Sequence, residues 1–232
     1  MNEQYSPQGF RFLPPVCKNL LIINALVFVA SLALRHIGID LNNILGLHFV
    51  LAKDHHIWQW ITYSFCHGNF DHIFFNMFAL WMFGYTLENI WGGKKFLFFC
   101  FTAALGAALA QQITWFFMYK DLINGVYSGV ATGEGTVATS VFLNMLVTIG
   151  ASGIVFGVLV AFGMMFPNTY IYLYFLMPIK TKWFVIGYVV LELFSTIRSA
   201  VSVSDGIAHC AHLGGALAGV ILILLWRKTK KY

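Results

Sequence analysis

Six apolar stretches dominate the chain. They cover roughly residues 17–35, 72–90, 95–118, 152–167, 183–199 and 207–226. A helix needs ~20 mostly apolar residues to cross the ~30 Å hydrocarbon core of a bilayer. Within that core every backbone N–H and C=O must find its partner inside the segment, so the stretches read as helices. Only 10% of the 232 residues are charged and 59% are hydrophobic, whereas a soluble domain carries about 25% charged residues. The expected fold class is therefore an all-α membrane protein: one bundle over residues 17–226, a short tail before it (1–16) and a basic tail after it (227–232). Its length suits one domain.

The formal net charge of +5 does not point to nucleic acid, because the basic residues sit between and after the apolar stretches. With the N-terminus in the cytoplasm, the inside segments hold Arg11, Lys18, Lys94, Lys95, Lys180, Lys182 and the four basic residues from Arg227 onward. The outside segments hold Arg35, Lys53, Lys120 and Arg198. That excess fits the positive-inside rule for six spans with both ends inside. No cleavable signal peptide is expected, since residues before Pro14-Pro15 are polar or aromatic and the first helix can drive insertion. The four cysteines form no Cys-x-x-Cys and read as buried free thiols.

The fourth stretch is short. It runs from Ser152 to Phe166, and Pro167 stops it. At 1.5 Å per residue it is ~22 Å long, so a start at Ser152 lies ~8 Å below the outer surface. A helix that begins there needs a water-filled or protein-lined cavity above it. Gly150-Ala151-Ser152-Gly153 opens this helix, and Gly153 and Gly157 give it a small-residue face. The sixth stretch carries His209 and His212, then Gly215-x-x-x-Gly219. Small faces let two helices approach closely, and such a contact places Ser152 beside His212.

A serine hydroxyl is a weak nucleophile that an adjacent histidine activates, and that histidine then returns the proton to the leaving amine. Phe156, one turn after Ser152, is placed to stack on His212. The Ser152 N–H lies at a helix N-terminus, which favours the negative charge of an oxyanion. Asp71 is the expected N-cap of the second span, with His72 and Asn76 following at i and i+4 as further oxyanion donors. Gly150 and Gly153 allow close backbone approach. No acidic residue is placed to orient His212: Asp205 lies seven residues earlier, before the helix. The expectation is a Ser–His dyad with its ring held by packing, and Glu192 as a buried, hydrogen-bonded carboxyl.

Blander readings compete. Gly-x-Ser-Gly alone is a helix-packing motif, and His-x-x-x-Asn alone an interhelical hydrogen bond. His209 with His212, or His67 with His72, has metal- or haem-ligand spacing, but only Asp71 is a nearby carboxylate, and no metal or cofactor is expected. The side chains of His55-His56 point apart and read as solvated. Trp58, Trp60 and Tyr63 in the loop 36–71 suit the membrane interface. The first half of 120–149 reads as a glycine-rich loop, 141–149 as an apolar piece too short to span, and 170–182 as an interfacial connector.

Taken together, His67…His72-x-x-x-Asn76, Gly84…Glu88, Gly150-Ala151-Ser152-Gly153 and Ala211-His212-x-Gly214-Gly215-x-x-x-Gly219 resemble a rhomboid intramembrane serine protease. The resemblance covers about residues 17–226. It implies a six-transmembrane-helix rhomboid fold, Ser152 as nucleophile, His212 as base, and His72, Asn76 and the Ser152 amide around the oxyanion. It further implies lateral entry of a substrate helix beside the fifth span and cleavage next to small residues. The family pattern puts the base directly before x-Gly-Gly, which selects His212 and leaves His209 a structural role. Many rhomboids carry Trp-Arg in the first outside loop. Here Trp58-Gln59 stands there, so ionic anchoring of the loop is not expected. Where the family often has Tyr, this chain has Phe156.

The expected function is intramembrane serine endopeptidase. The alternatives are a catalytically inactive rhomboid relative that binds membrane clients, and a small transporter, which would want intramembrane charges and repeated halves. Expected partners are single-pass or other transmembrane protein substrates and the lipid bilayer, not nucleic acid. The expected location is the cell (inner) membrane, with the site open to the extracytoplasmic side.

Overall fold

The computed structural model describes residues 9–133, 135–173, 177–201 and 208–229. In chain order, Pro15–Arg35 forms α1. The following loop folds into Leu41–Leu45 (α2), Leu47–His48 (β1) and Gln59–Thr62 (α3), which runs into a 3-10 turn at Tyr63–Phe65. Phe70–Trp91 (α4) and Gly93–Met118 (α5) are the next long helices. Lys120–Ile123 (α6), the hairpin Gly129–Thr132 (β2) with Gly135–Ala138 (β3), Thr139–Asn144 (α7) and Val147–Thr148 (β4) make the second ordered connection. Then come Ser152–Met165 (α8), the hairpin Tyr170–Leu173 (β5) with Met177–Lys180 (β6), Thr181–Val201 (α9) and His209–Lys228 (α10).

The long helices fall on the six apolar stretches. Three of them, α1, α5 and α10, are long and apolar enough to cross a membrane. At 14 residues α8 is apolar but shorter, ~21 Å at 1.5 Å per residue. α4 and α9 match the three in length but carry Asn76 and Glu88, and Glu192 and Arg198, within their apolar sequence. The chain is thus a mostly helical membrane protein.

Local chemistry explains the helix ends, with one correction. The N-cap of α4 is Asn69, whose side chain accepts from the His72 N–H at 2.8 Å; Asp71 sits inside the first turn instead. An Asn side chain reaches the donor three residues on as well as Asp does. The opposite end of α4 serves its neighbour: Glu88 accepts from the backbone N–H groups of Val16 and Cys17 at 2.8 and 2.7 Å. Those are first-turn donors of α1, which have no partner within their own helix. Asp205 and residues 206–207, expected near the start of the sixth span, lie outside the described residues.

Small residues hold the middle of the bundle. A Cβ on Gly215 of α10 would overlap the Gly153 carbonyl of α8, and one on Gly219 would stand 3.2 Å from Gly157 Cα. On α5, Ala103 and Ala107 face Gly157 and Gly153. In lipid, where apolar burial gives helices no net drive to associate, such close backbone approach is what packs them. Around this seam lies a core of Phe96, Phe99, Leu80, Phe83, Val158 and Ile223.

The two long connections are tied together over the start of α8. β1 pairs antiparallel with β4, Leu47 opposite Thr148 and His48 opposite Val147. Gln112 of α5 accepts from Val50 N–H and donates to the His48 carbonyl at 2.9 and 2.7 Å. The stretch expected as loop thus contains a hairpin, whose turn is flanked by Thr132, Gly133 and Gly135, and within 170–182 β5 pairs antiparallel with β6, so that both short segments satisfy their own backbone groups.

Candidate active site

Ser152 is the first residue of α8, and its Oγ lies 2.7 Å from His212 Nε2. The His212 ring ends a stack of three: Phe156 stacks on it at 4.4 Å between centroids and 10° between planes, and Tyr188 of α9 stacks on Phe156 at 5.0 Å. His212 is 9% exposed. The Gly153–Gly215 contact brings the two residues together, as Ser152 adjoins Gly153 and His212 stands one turn before Gly215.

The start of α4 supplies a donor close to the serine. Gly150 has φ +126°, and a Cβ there would stand 2.7 Å from His72 Nε2 and 3.6 Å from Ser152 Oγ. A side chain would therefore be strained and would fill the space between the Ser152 hydroxyl and the His72 ring. Gly150 N–H is held by the Tyr63 carbonyl at 2.9 Å, and the Tyr63 hydroxyl by the Ala104 carbonyl at 2.8 Å. The Gly68 N–H points at His72 Nδ1 at 3.5 Å. A ring nitrogen that accepts leaves the other to carry the proton, so His72 Nε2 faces Gly150 as a donor. Asn76, one turn on, is 7% exposed and its Nδ2 has no hydrogen-bond partner. An unpaired amide donor in such a place costs stability, which fits a group reserved for an incoming oxygen. The Ser152 N–H, as first residue of a helix, likewise has no partner four residues back, and donors of this kind are what an anionic oxygen would accept from.

The expectation that no acid orients His212 is wrong. Glu192 of α9 places Oε2 3.1 Å from His212 Nδ1 and 2.7 Å from His209 Nδ1. The three ligand atoms lie within 4.8 Å of one another, so the carboxylate found missing for a metal site is also present. Both Nδ1 atoms, however, are turned onto the carboxylate at hydrogen-bonding distance. The trio is satisfied as a hydrogen-bonded network.

Behind the donors sits His67, 2% exposed, edge-on to the His72 ring at 4.9 Å. Neither of its ring nitrogens makes a hydrogen bond. Burial, and then the neighbouring His72, push its imidazole down to about 4.

Residues 54–229 match the rhomboid domain family. The chain belongs to the rhomboid family. It is 29% identical over 177 residues to "Rhomboid-like protein 11, chloroplastic" of Arabidopsis thaliana, covering 74% of this chain and 53% of that protein. It is 29% identical over 161 residues to "Rhomboid protein 1, mitochondrial" of Saccharomyces cerevisiae, covering 68% of this chain and 38% of that one. A shorter match, 33% over 66 residues, is to "Rhomboid-like protease 1" of Toxoplasma gondii, covering 28% of this chain and 22% of that protein. The chain thus spans about half or less of each of these relatives.

Within this rhomboid, the structure gathers the expected residues. Ser152, His212 and Phe156 are in contact; His72 lies against Gly150; Gly153, Gly215 and Gly219 form the helix seam. Sequence reasoning missed Glu192 as a partner of the histidine. The signal was there, an acid inside an apolar helix, but spacing along one chain does not fix how two helices are rotated against each other. It also missed the loop anchor. Gln59 is fully buried, accepts from the N–H groups of His48 and His56, and donates to the Ile44 and Asp54 carbonyls. A neutral amide thus anchors the loop by hydrogen bonding, without an ionic partner at this position. Nor are His55 and His56 simply solvated: Trp60 Nε1 donates to His55 at 3.0 Å, and His56 stacks on Trp58 at 4.2 Å.

Proposed function

We propose that the chain is an intramembrane serine endopeptidase that cuts transmembrane segments of other membrane proteins. The observation that carries this reading is the 2.7 Å contact between His212 Nε2 and Ser152 Oγ, with the ring face held by Phe156. Membership of the rhomboid family supports it. In the reaction Ser152 Oγ attacks the scissile carbonyl carbon as His212 Nε2 takes the hydroxyl proton. The carbonyl oxygen becomes an oxyanion that accepts from the Ser152 N–H, His72 and Asn76. His212 then protonates the departing amine nitrogen, which breaks the C–N bond and leaves an acyl-serine. Water, deprotonated by the same ring, attacks the acyl carbon, and the serine recovers its proton.

In this reading all six long helices span the bilayer, with α4, α8 and α9 completing the set. Both termini are cytoplasmic and the site opens to the outer side of a cell membrane. The supports are the excess of Lys and Arg on one set of connections and the short α8, which submerges Ser152. Substrate helices enter laterally beside α9.

The test is labelling of the detergent-solubilised protein by a fluorophosphonate or isocoumarin probe. Wild type is expected to label, and Ser152→Ala and His212→Ala not. Labelling is expected to persist with a metal chelator, and in His209→Ala to be slowed but not abolished. Labelling of Ser152→Ala would overturn the nucleophile. A folded wild type inert to both probes and to model transmembrane substrates would favour the alternative, an inactive rhomboid-like protein that binds membrane clients.

A further inference from the structure

We infer that Glu192 is the positioning residue of His212, so that the site is a Ser152–His212–Glu192 triad whose carboxylate is clamped by His209. The inference rests on the serine–histidine reading above. Glu192 Oε2 receives two ring nitrogens, His209 Nδ1 at 2.7 Å and His212 Nδ1 at 3.1 Å. The residue is 9% exposed. An acid buried among apolar helices is costly unless it is paired and hydrogen-bonded, and the two imidazoles supply that pairing.

The consequence for His212 follows from donor counting. An ionised carboxylate only accepts, so each Nδ1 facing it must carry its proton. A neutral imidazole has one N–H, and with Nδ1 protonated the Nε2 lone pair is left facing Ser152 Oγ at 2.7 Å. That is the tautomer a general base needs; the other would present N–H to the hydroxyl and could not accept its proton. The carboxylate also faces the positive charge that the ring gains during attack, without itself taking a proton.

His209 has its own part. It stands three residues before His212, one turn away on the same helix, where i and i+3 side chains share a face. Its hydrogen bond is the shorter of the two. It pins the carboxylate from the second side, so that Oε2 stays at His212 although α9 and α10 are separate helices. Three contacts then fix the His212 ring: Phe156 on its face, Ser152 at Nε2 and Glu192 at Nδ1.

The test has a readout that needs no activity. In protein labelled with [15N]histidine in detergent micelles, the His212 resonances are assigned by their disappearance in His212→Ala. At neutral pH the wild type is expected to show His212 protonated at Nδ1, with a downfield proton shared with a carboxylate, and bare at Nε2. In Glu192→Gln that tautomer is expected to lose its dominance. kcat and kcat/KM are expected to fall equally, by ~10²-fold or more, and Glu192→Asp, which keeps the charge, to regain part of the rate. Protonation of wild-type His212 at Nε2 would overturn the inference, and so would a folded Glu192→Gln with unchanged tautomer and kcat. If Glu192→Gln does not fold, the wild-type spectrum decides. A wild type that shows the Nδ1–H tautomer yet cleaves nothing would sink the protease reading and leave the positioning intact.

Discussion

The Gly153 carbonyl of α8 rests in the place where a side chain on Gly215 of α10 would begin. This contact is the mechanical basis of the site. The bilayer gives two apolar helices no hydrophobic reason to meet, so they meet where their backbones fit. Ser152 adjoins one member of the pair and His212 precedes the other by one turn. Depth and rotation of the two helices are thus set by glycines, and the 2.7 Å serine–histidine contact follows from them.

Gly215→Ala is therefore expected to be far more damaging than its size suggests. The added methyl meets a backbone carbonyl that cannot rotate away, so the helices must part; overpacking of this kind costs about 3 kcal/mol or more. The control is Gly187→Ala on α9, where a Cβ meets nothing within 4 Å. Thermal melts in detergent should show a large loss for the first and no loss for the second, which gains helix propensity. Equal melting of Gly215→Ala and wild type would mean the seam does not set the packing.

Asn76→Ala should separate activity from stability. The Asn76 Nδ2 is buried without a partner, so its removal takes away an unsatisfied donor and should leave the melting temperature unchanged or higher. Loss of one oxyanion donor lowers kcat by ~10²–10³-fold. A variant that loses stability but keeps kcat would show that Asn76 is a structural interhelical residue.

How far the sequence carries can be judged residue by residue. The apolar runs placed the long helices to within a few residues, because length and hydropathy are properties of one segment. Ser152, His212, His72 and Asn76 were legible because each lies in a local motif, and the small faces at Gly153 and Gly215 foretold which helices touch. Glu192 was visible but unassigned, since whether an acid on one helix faces a histidine on another depends on a rotation that neither segment encodes. The Asn69 cap was missed because Asp and Asn compete for the same role two residues apart. Gln59 was read as the absence of an arginine, whereas four neutral hydrogen bonds needed the loop's fold to be recognised.

Gln59→Leu tests that loop. It keeps the volume of the side chain but leaves the His48 and His56 N–H groups and the Ile44 and Asp54 carbonyls without their partner. Buried groups deprived in this way cost about 1–3 kcal/mol each, so a lower melting temperature and faster proteolysis within residues 46–62 are expected. Gln59→Arg should not rescue it, because the amide oxygen accepts two N–H bonds and a guanidinium accepts none. Recovery by Gln59→Arg would show that the pocket tolerates the ionic anchor.

His67 gives a dependence of stability on pH. Its imidazole, pushed down to about 4 by burial and by His72, is neutral in the folded protein over a range where the unfolded chain, at about 6.5, takes up a proton. The unfolded state then binds more protons, so stability rises with pH. The contribution is complete above about pH 6.5 and is lost as the pH falls toward 4, amounting to about 2–3 kcal/mol by pH 4.5. The measurement is the melting temperature in detergent from pH 7.5 to 4.5, for wild type and His67→Phe. The phenyl ring fills the site but cannot be protonated. Packing also changes between an imidazole and a phenyl ring, so the slope, not the level of stability, is the quantity compared. The variant should show a shallower decline on acidification than the wild type. Parallel curves would mean that the folded protein accepts the proton at His67 as readily as the unfolded chain does, and that the site behind His72 is wetter than its burial indicates.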